Sequence, residues 1–457
     1  MPYKTVNPAT GETVQEFISL TDAQILDAVD RSAAAYRSWN RTPLEERVAL
    51  LHRLADLYQE GEEELARIIT EEMGKPIRQA RGEIQIVRDI YRYYANNAQT
   101  LLKPEKLTSS LGGQAEVVLQ STGSILGIMP WNYPFYQVAR LVAPNLLLGN
   151  TILLKHASNV PQAALIQERL IHDAGFPKDV YINLLASGKQ VSTLVVPAPS
   201  VEGVSLTGSE PAGAAVAEIA GRHLKKVVLE LGGSDPFIVL DGHDLQRTVT
   251  KAVSGRVGNA GQACTASKRF IVVEDVHDDF LTSFSDAMAG ITPADPADPA
   301  TVLGPLSSVE ARTDVMEIVE DAVSKGATLA AGGHIIDGAG AYMEATVLTN
   351  VTPDMRAYAE EIFGPVAVVY KVKDADHAVE LANSSPYGLG GSVFSADLEQ
   401  ARRVATQLES GMVFVNEVTE SAPDLPFGGV KRSGVGRELG KYGLEEFANK
   451  KLIHLPV

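Results

Sequence analysis

The chain of 457 residues contains a single cysteine, Cys264. One thiol cannot form an intrachain disulfide or a multi-thiolate metal site, so a disulfide-stapled fold and a zinc ribbon are both excluded. No other metal-ligand spacing stands out, and no metal is expected. Long apolar runs are also missing; none approaches the roughly 18–20 residues that a membrane-spanning helix needs. Positive charge is in short supply, with 40 Lys and Arg against 57 Asp and Glu and a net charge of −17. An acidic surface repels phosphate backbones and anionic lipid, which argues against nucleic-acid and membrane partners. The stretch from Met1 to Phe17 is polar and lacks the basic–apolar–small pattern of a secretory signal. The expected location is the cytoplasm.

What is present is ordinary globular composition, 45% hydrophobic and 21% charged. The length suits two or three domains of about 100–200 residues each. The first hundred residues read as helices. Thr42-Pro43-Leu44-Glu45 offers a cap, a first-turn proline and a capping-box glutamate. Val48, Leu51, Leu54 and Tyr58 follow at helical spacing up to Gly61. Strands are expected at 115–120 and 124–129. From there apolar runs at 151–154, 181–185, 203–206 and 226–231 alternate with helical segments at 161–174 and 211–220. That alternation predicts right-handed βαβ units and an α/β fold with a doubly wound parallel sheet. Such sheets bind ligands beyond the carboxyl ends of their strands. A second α/β unit is indicated by strands at 270–273, 366–370 and 413–416 and a helix at 315–324.

Several residues carry chemistry. A lone cysteine most often serves as a small buried apolar residue. Cys264, however, follows Gly258-Asn259-Ala260-Gly261-Gln262-Ala263, whose glycines permit close approach and whose amides do not suit a core strand. Such a polar, accessible setting, best near positive charge, favours a nucleophilic thiolate. Glu230 ends the buried run Val227-Val228-Leu229 and precedes Leu231-Gly232-Gly233; it is either a solvated strand-end acid or a general base with a raised pKa. Asn132, in Pro130-Trp131-Asn132-Tyr133-Pro134, is either a turn residue or an amide donor for a developing oxyanion. No G-x-G-x-x-G follows a strand, but Thr207-Gly208-Ser209 leaves one and opens a helix whose N–H groups can hold a pyrophosphate. From Val117 to Gln167 there is no Asp or Glu, where average acid content would place about six. Arg140 and Lys155 are the only full cations in that window. Arg140 sits among apolar neighbours, so either a distant acid, such as an aspartate from the second domain, or a ligand carboxylate must neutralise it.

Taken together these motifs resemble the aldehyde dehydrogenase superfamily over essentially the whole chain. Asn7 to Glu12 is similar to its N-terminal strand. Pro130–Pro134, Thr207–Ser209, Glu230–Gly233, Gly261–Cys264, Glu360–Pro365 and Pro426–Lys431 are similar to its active-site motifs. The resemblance implies the aldehyde dehydrogenase fold: a Rossmann-like cofactor domain over 1–105 and 122–232 and an α/β catalytic domain over 233–432. It also implies a small β projection at 106–121 pairing with 448–457 to build homodimers or homotetramers. Cys264 would be the nucleophile that forms a thioester, Glu230 the base for water, and Asn132 part of the oxyanion hole. Trp131, Lys155, Ser158, Thr207, Gly208, Ser209, Leu231, Glu361 and Phe363 would contact the cofactor. Lys155-His156-Ala157-Ser158 departs from the NAD-type Lys-Pro-x-Glu; without that carboxylate NADP becomes acceptable, with NAD still possible.

Within the family the chain is most similar to short bacterial succinate-semialdehyde dehydrogenases, on Arg140, the Gly232–Pro236 stretch and Ser421. These imply an aldehyde substrate bearing a carboxylate held by Arg140 and Ser421. A second arginine found in some members is Gly258 here. Two alternatives stay open: a dehydrogenase of glutarate semialdehyde or lactaldehyde, and a cofactor-independent thioesterase built on Cys264 and Glu230.

Overall fold

Two largely parallel sheets flanked by helices carry the chain in the computed structural model, which describes residues 3–456. The first has the spatial order Gly434–Val435, Lys226–Glu230, Val201–Thr207, Ser124–Met129, Thr151–His156, Tyr181–Asn183. All neighbours are parallel except the short Gly434–Val435 edge. Ile125, Leu126, Ile152, Leu153 and Leu154 are fully buried. Burial on both faces is why these strands read as continuous apolar runs rather than alternating ones. After Ser124–Met129 the chain fills one side of the sheet, then returns through Val201–Thr207 to fill the other. This switch point opens a crevice beyond Met129 and Thr207, where ligands of such sheets bind.

The second sheet runs Thr328–Ala331, Thr346–Thr349, Val366–Val372, Ser267–Val273, Asp235–Val239, Ser392–Phe394, Phe414–Val415. Only its Thr328–Ala331 edge is antiparallel. The helix Tyr136–Leu148 is buried along its whole length, matching a sequence apolar on every side except at Gln137, Arg140 and Asn145. Gln114–Gln120 pairs with Asn449–Leu455, Asn449 opposite Gln120 and Leu455 opposite Gln114, and Glu105–Leu107 completes a three-stranded antiparallel sheet. Residues 1, 2 and 457 of the expected segments lie outside the described residues.

Three local expectations are corrected. Asn7–Glu12 is not a strand but the turn joining Tyr3–Val6 to Thr13–Phe17. The Asn7 side chain accepts from the Ala9 N–H at 2.9 Å, and Gly11 takes φ +76°, the Asx-turn chemistry that favours a reversal. Thr42 does not cap the helix Leu44–Glu60; Pro43 holds that position and no side chain caps it. The Thr42 N–H is tied to the Trp39 carbonyl at 3.0 Å, closing the turn out of the preceding helix. The strand expected from Phe270 begins at Ser267; an apolar-run criterion misses Ser267, Lys268 and Arg269, which are buried polar residues.

Candidate active site

Cys264 lies on the turn between the helix Leu245–Val257 and the strand Ser267–Val273. Asn259, Ala260 and Gly261 adopt φ of +52°, +53° and +74°. Left-handed backbone is costly for the alanine, so surrounding contacts must enforce it. A Cβ on Gly261 would fall 2.2 Å from the Gly364 carbonyl oxygen, so only glycine fits. Arg256, fully buried, donates to the Gly261 carbonyl at 2.8 Å, to Gly364 at 2.6 Å and to Ser267 at 3.1 Å. Gln262 accepts from the Ser307 N–H at 2.9 Å, and the Asn259 N–H donates to Gln79 at 2.7 Å. The amides that looked out of place in a core strand are the braces of this turn.

The thiol is half-buried. Burial pushes its pKa up to about 12, while Arg140 and Lys268 pull it back and Glu361 and Glu230 add to the rise. The expectation of a thiolate-favouring setting is therefore corrected: desolvation outweighs the nearby cations, and the resting group is a thiol. Its activation requires a base. Glu230 ends its strand opposite Thr207 and is 2% exposed, with neither carboxylate oxygen hydrogen-bonded among the described residues. Burial, then Glu438, raises its pKa well above the ordinary carboxylate value, against the pull of Arg140 and Arg437. Gly428 leaves room for it; a Cβ there would sit 2.6 Å from Oε1.

Asn132 is 4% exposed. Its carbonyl oxygen accepts from Gln137 at 2.9 Å, which fixes the amide so that Nδ2 donates to the Gln262 carbonyl at 3.0 Å. An amide nitrogen carries two hydrogens, so one is left for a ligand.

A cavity of about 540 Å³ brings Cys264 together with Arg140, Ser421, Tyr133, Tyr136 and Phe427. Arg140 is 2% exposed and lies between the rings of Tyr136 and Phe427, 4.7 and 4.3 Å from their centroids. Its neutralising partner is Glu438, with Nε 2.7 Å from Oε2, and not an aspartate of the catalytic domain. Nη2 lies 3.5 Å from Thr207 Oγ1, and Nη1 has no protein partner among the described residues. Lys155, the other cation of the acid-free window, has no acid partner among them either, and burial lowers its pKa.

The remaining positions lie outside the lining of that cavity. Trp131 meets Phe363 edge-on at 5.8 Å. Ser158, half-exposed, accepts the Lys4 N–H at 3.1 Å through its carbonyl. Gly208 donates its N–H to the Glu230 carbonyl at 3.0 Å. Ser209 caps the helix Glu210–Arg222 by position without a side-chain bond, so that of the first turn the Glu210 and Ala212 N–H groups are uncapped, Pro211 having none. Leu231 packs its side chain on Gly213 of that helix, so only its backbone faces the crevice. Glu361 accepts the Gly233 N–H at 3.1 Å and lies 3.2 Å from Lys268.

Sequence reasoning missed Glu438, Lys268, Arg256 and the buried Lys75–Glu83 pair. Glu83 accepts the N–H groups of Phe135 and Tyr136 at 2.9 and 3.1 Å and so fixes the start of the helix bearing Arg140. It also missed Tyr136, whose hydroxyl is buried without a hydrogen-bond partner among the described residues. Its place four residues before Arg140 is the one signal that could have found it.

A family model described as "Aldehyde dehydrogenase family" matches residues 1–453. The chain belongs to the aldehyde dehydrogenase family. This aldehyde dehydrogenase is 54% identical, over 99% of its length and 94% of the relative's, to a succinate-semialdehyde dehydrogenase [NADP(+)] of Deinococcus radiodurans. It is 44% identical to a Mycobacterium ulcerans protein of the same description, with 99% of each chain covered. Its fold matches the crystal structure of a Streptococcus pyogenes succinic semialdehyde dehydrogenase in complex with NADP+, at TM-score 0.97 and 43% identity over 100% of both chains. The α/β architecture is that of the family, and the enzyme is an oxidoreductase acting on an aldehyde. No helix among the described residues is long and apolar enough to cross a membrane.

Proposed function

We propose that this aldehyde dehydrogenase oxidises succinate semialdehyde to succinate with NADP+, through a thioester on Cys264. One observation carries the substrate reading: Arg140 and Ser421 line the same cavity as the Cys264 thiol. A guanidinium fork suits a carboxylate, and a cavity that places an anion anchor and a nucleophile together suits a short semialdehyde. The descriptions of the relatives support the same substrate and cofactor.

Residues in the crevice fit a dinucleotide phosphate. Among the described residues Lys155 is a half-buried ammonium without an acid partner, the Glu210 and Ala212 N–H groups have no side-chain cap, and the second oxygen of Glu361 accepts no hydrogen bond. Ser158, where a glutamate would repel a 2′-phosphate, favours NADP. When bound, the nicotinamide supplies the hydride acceptor. The chain's own residues do the rest. Glu230, a carboxylate made more basic by burial, takes the proton that leaves the Cys264 thiol as sulfur attacks the aldehyde carbon. The second hydrogen of the Asn132 amide and the Cys264 N–H steady the resulting oxyanion. Once the thioester has formed, Glu230 releases that proton to solvent, deprotonates the water that hydrolyses the thioester and passes the proton to the departing sulfur, so that the thiol is regenerated and succinate is released.

The cofactor domain is assigned to 1–105 and 122–232 and the catalytic domain to 233–432. Segments 106–121 and 448–457 are assigned to self-association, because the Asn449–Leu455 edge strand exposes Leu452 and Leu455. Bare strand edges of this kind pair with other chains. The working location is the cytoplasm. Initial rates with succinate semialdehyde, glutarate semialdehyde, lactaldehyde and butyraldehyde, each with NADP+ and NAD+, test the assignment. Preference for a neutral aldehyde, or for NAD+, would overturn it.

A further inference from the structure

The strand Ser267–Val273 opens with a buried cation that the mechanism above leaves unused. Lys268 is 3% exposed. Its ammonium donates to the carbonyls of Ala263 at 3.1 Å, Cys264 at 2.9 Å and Ala266 at 3.4 Å. The same nitrogen lies 3.2 Å from Glu361 Oε1. An ammonium has three hydrogens and no acceptor capacity, so it is shared between the nucleophile turn and one carboxylate. Glu361 accepts the Gly233 N–H at 3.1 Å through that same oxygen. Its second oxygen faces Gly232, where a Cβ would lie 2.4 Å away, and accepts no hydrogen bond among the described residues. Arg256 already ties the turn to the Glu361 segment mechanically, through Gly261 and Gly364. What Lys268 adds is a charge placed between the cofactor carboxylate and the thiol.

We propose that Lys268 is a positioning residue that couples occupancy of the cofactor site at Glu361 to the reactivity of Cys264. This rests on the reading that Glu361 meets the nicotinamide ribose and Cys264 is the nucleophile. In the free protein the Lys268 ammonium faces the Glu361 carboxylate at 3.2 Å. Ribose hydroxyls donating to the free oxygen of Glu361 draw on the same negative charge. Lys268 is then compensated less by the carboxylate and acts more strongly on the adjacent turn, where positive potential favours thiolate over thiol. The enzyme thereby arms its nucleophile when a hydride acceptor is in place.

Cys264 is the only cysteine, so alkylation by iodoacetamide reports on it without ambiguity. The rate is measured with and without NADP+ in the wild type and in Lys268→Met, and NADP+ binding is titrated separately by protein fluorescence. NADP+ should accelerate alkylation several-fold in the wild type. In Lys268→Met the acceleration should vanish while NADP+ still binds, and Lys268→Arg should restore part of it. A merely structural lysine would lower stability without removing the cofactor response. An unchanged or slower wild-type rate with NADP+, or the same acceleration in Lys268→Met, overturns the proposal. Lys268→Gln, which keeps a donor for the carbonyls but no charge, carries the same prediction should the methionine variant not fold. Turnover that survives in Cys264→Ala would instead overturn the nucleophile reading, so the two failures are distinguishable.

Discussion

Replacing Arg140 by alanine is the obvious test of substrate recognition, and the structure shows why it is the wrong one. The guanidinium contacts Glu438 at 2.7 Å, and both side chains are buried. Deleting one member of a buried ion pair leaves the other charge uncompensated, at about 3–5 kcal/mol of stability. Loss of activity in Arg140→Ala would then mix misfolding with lost recognition. Arg140→Lys keeps a positive charge for Glu438 but loses the fork, its Nη1 hydrogen bonds and the stacking between Tyr136 and Phe427. A hydrogen bond to a charged group contributes about 1.5–3 kcal/mol, which is about 10–150-fold in kcat/KM when it is made in the transition state. The loss should fall on succinate semialdehyde, whose far end is a carboxylate. Butyraldehyde, nearly the same length but uncharged, should lose far less. Steady-state rates with both aldehydes on both proteins decide the matter. Equal losses would mean that Arg140 serves only to neutralise Glu438, and the semialdehyde reading should be withdrawn.

Cys264→Ala should abolish turnover while leaving NADP+ affinity near the wild-type value in a fluorescence titration, because only the covalent step is removed; substantial residual oxidation would refute the thioester route. Ser158→Glu should shift the kcat/KM ratio toward NAD+, since the new carboxylate can accept from ribose hydroxyls and repels a 2′-phosphate; a wild type already selective for NAD+ would refute the reading of that loop. For the free enzyme, a thiol raised from 9.0 to about 12 by burial is protonated at neutral pH. Its alkylation rate follows the thiolate fraction, so it should climb about tenfold per pH unit from pH 7 to 10, and a plateau near pH 8.5 would show that the thiol titrates normally.

Local patterns were legible in the sequence; long-range pairings were not. Apolar runs at 124–129, 151–154 and 226–231 located strands because parallel strands are buried on both faces, and that burial is written residue by residue. Cys264, Glu230 and Asn132 stood out because glycine, amide and acid in those runs contradict a purely structural strand or turn. Polar strand positions failed the same criterion. Ser267, Lys268 and Arg269 begin a fully buried strand, yet they fall outside the strand expected at 270–273 because nothing local says that the Lys268 and Arg269 donors are satisfied by backbone carbonyls. Thr42 misled for the opposite reason: its capping signature is sound, but the turn out of the preceding helix claims its N–H.

Arg140 shows where the limit lies. The sequence posed two alternatives for a guanidinium in an apolar helix, a distant acid or a ligand carboxylate. The acid exists, as Glu438, but it is brought in by the segment between Gly434–Val435 and the helix Gly440–Glu446, which no spacing rule connects to residue 140. Finding it does not dispose of the ligand, because a guanidinium has two functional ends. Nε faces Glu438, while Arg140 also lines the cavity with Cys264 and Ser421. Glu438 orients the fork and offsets the cost of burying it, and a substrate carboxylate is then needed only at the open end. Moreover, the Glu438 carboxylate adds to the rise in the pKa of Glu230 that burial causes, and Arg140 and Arg437 oppose it. A carboxylate held at the open end of Arg140 therefore offsets part of the positive charge that, together with Arg437, opposes that rise.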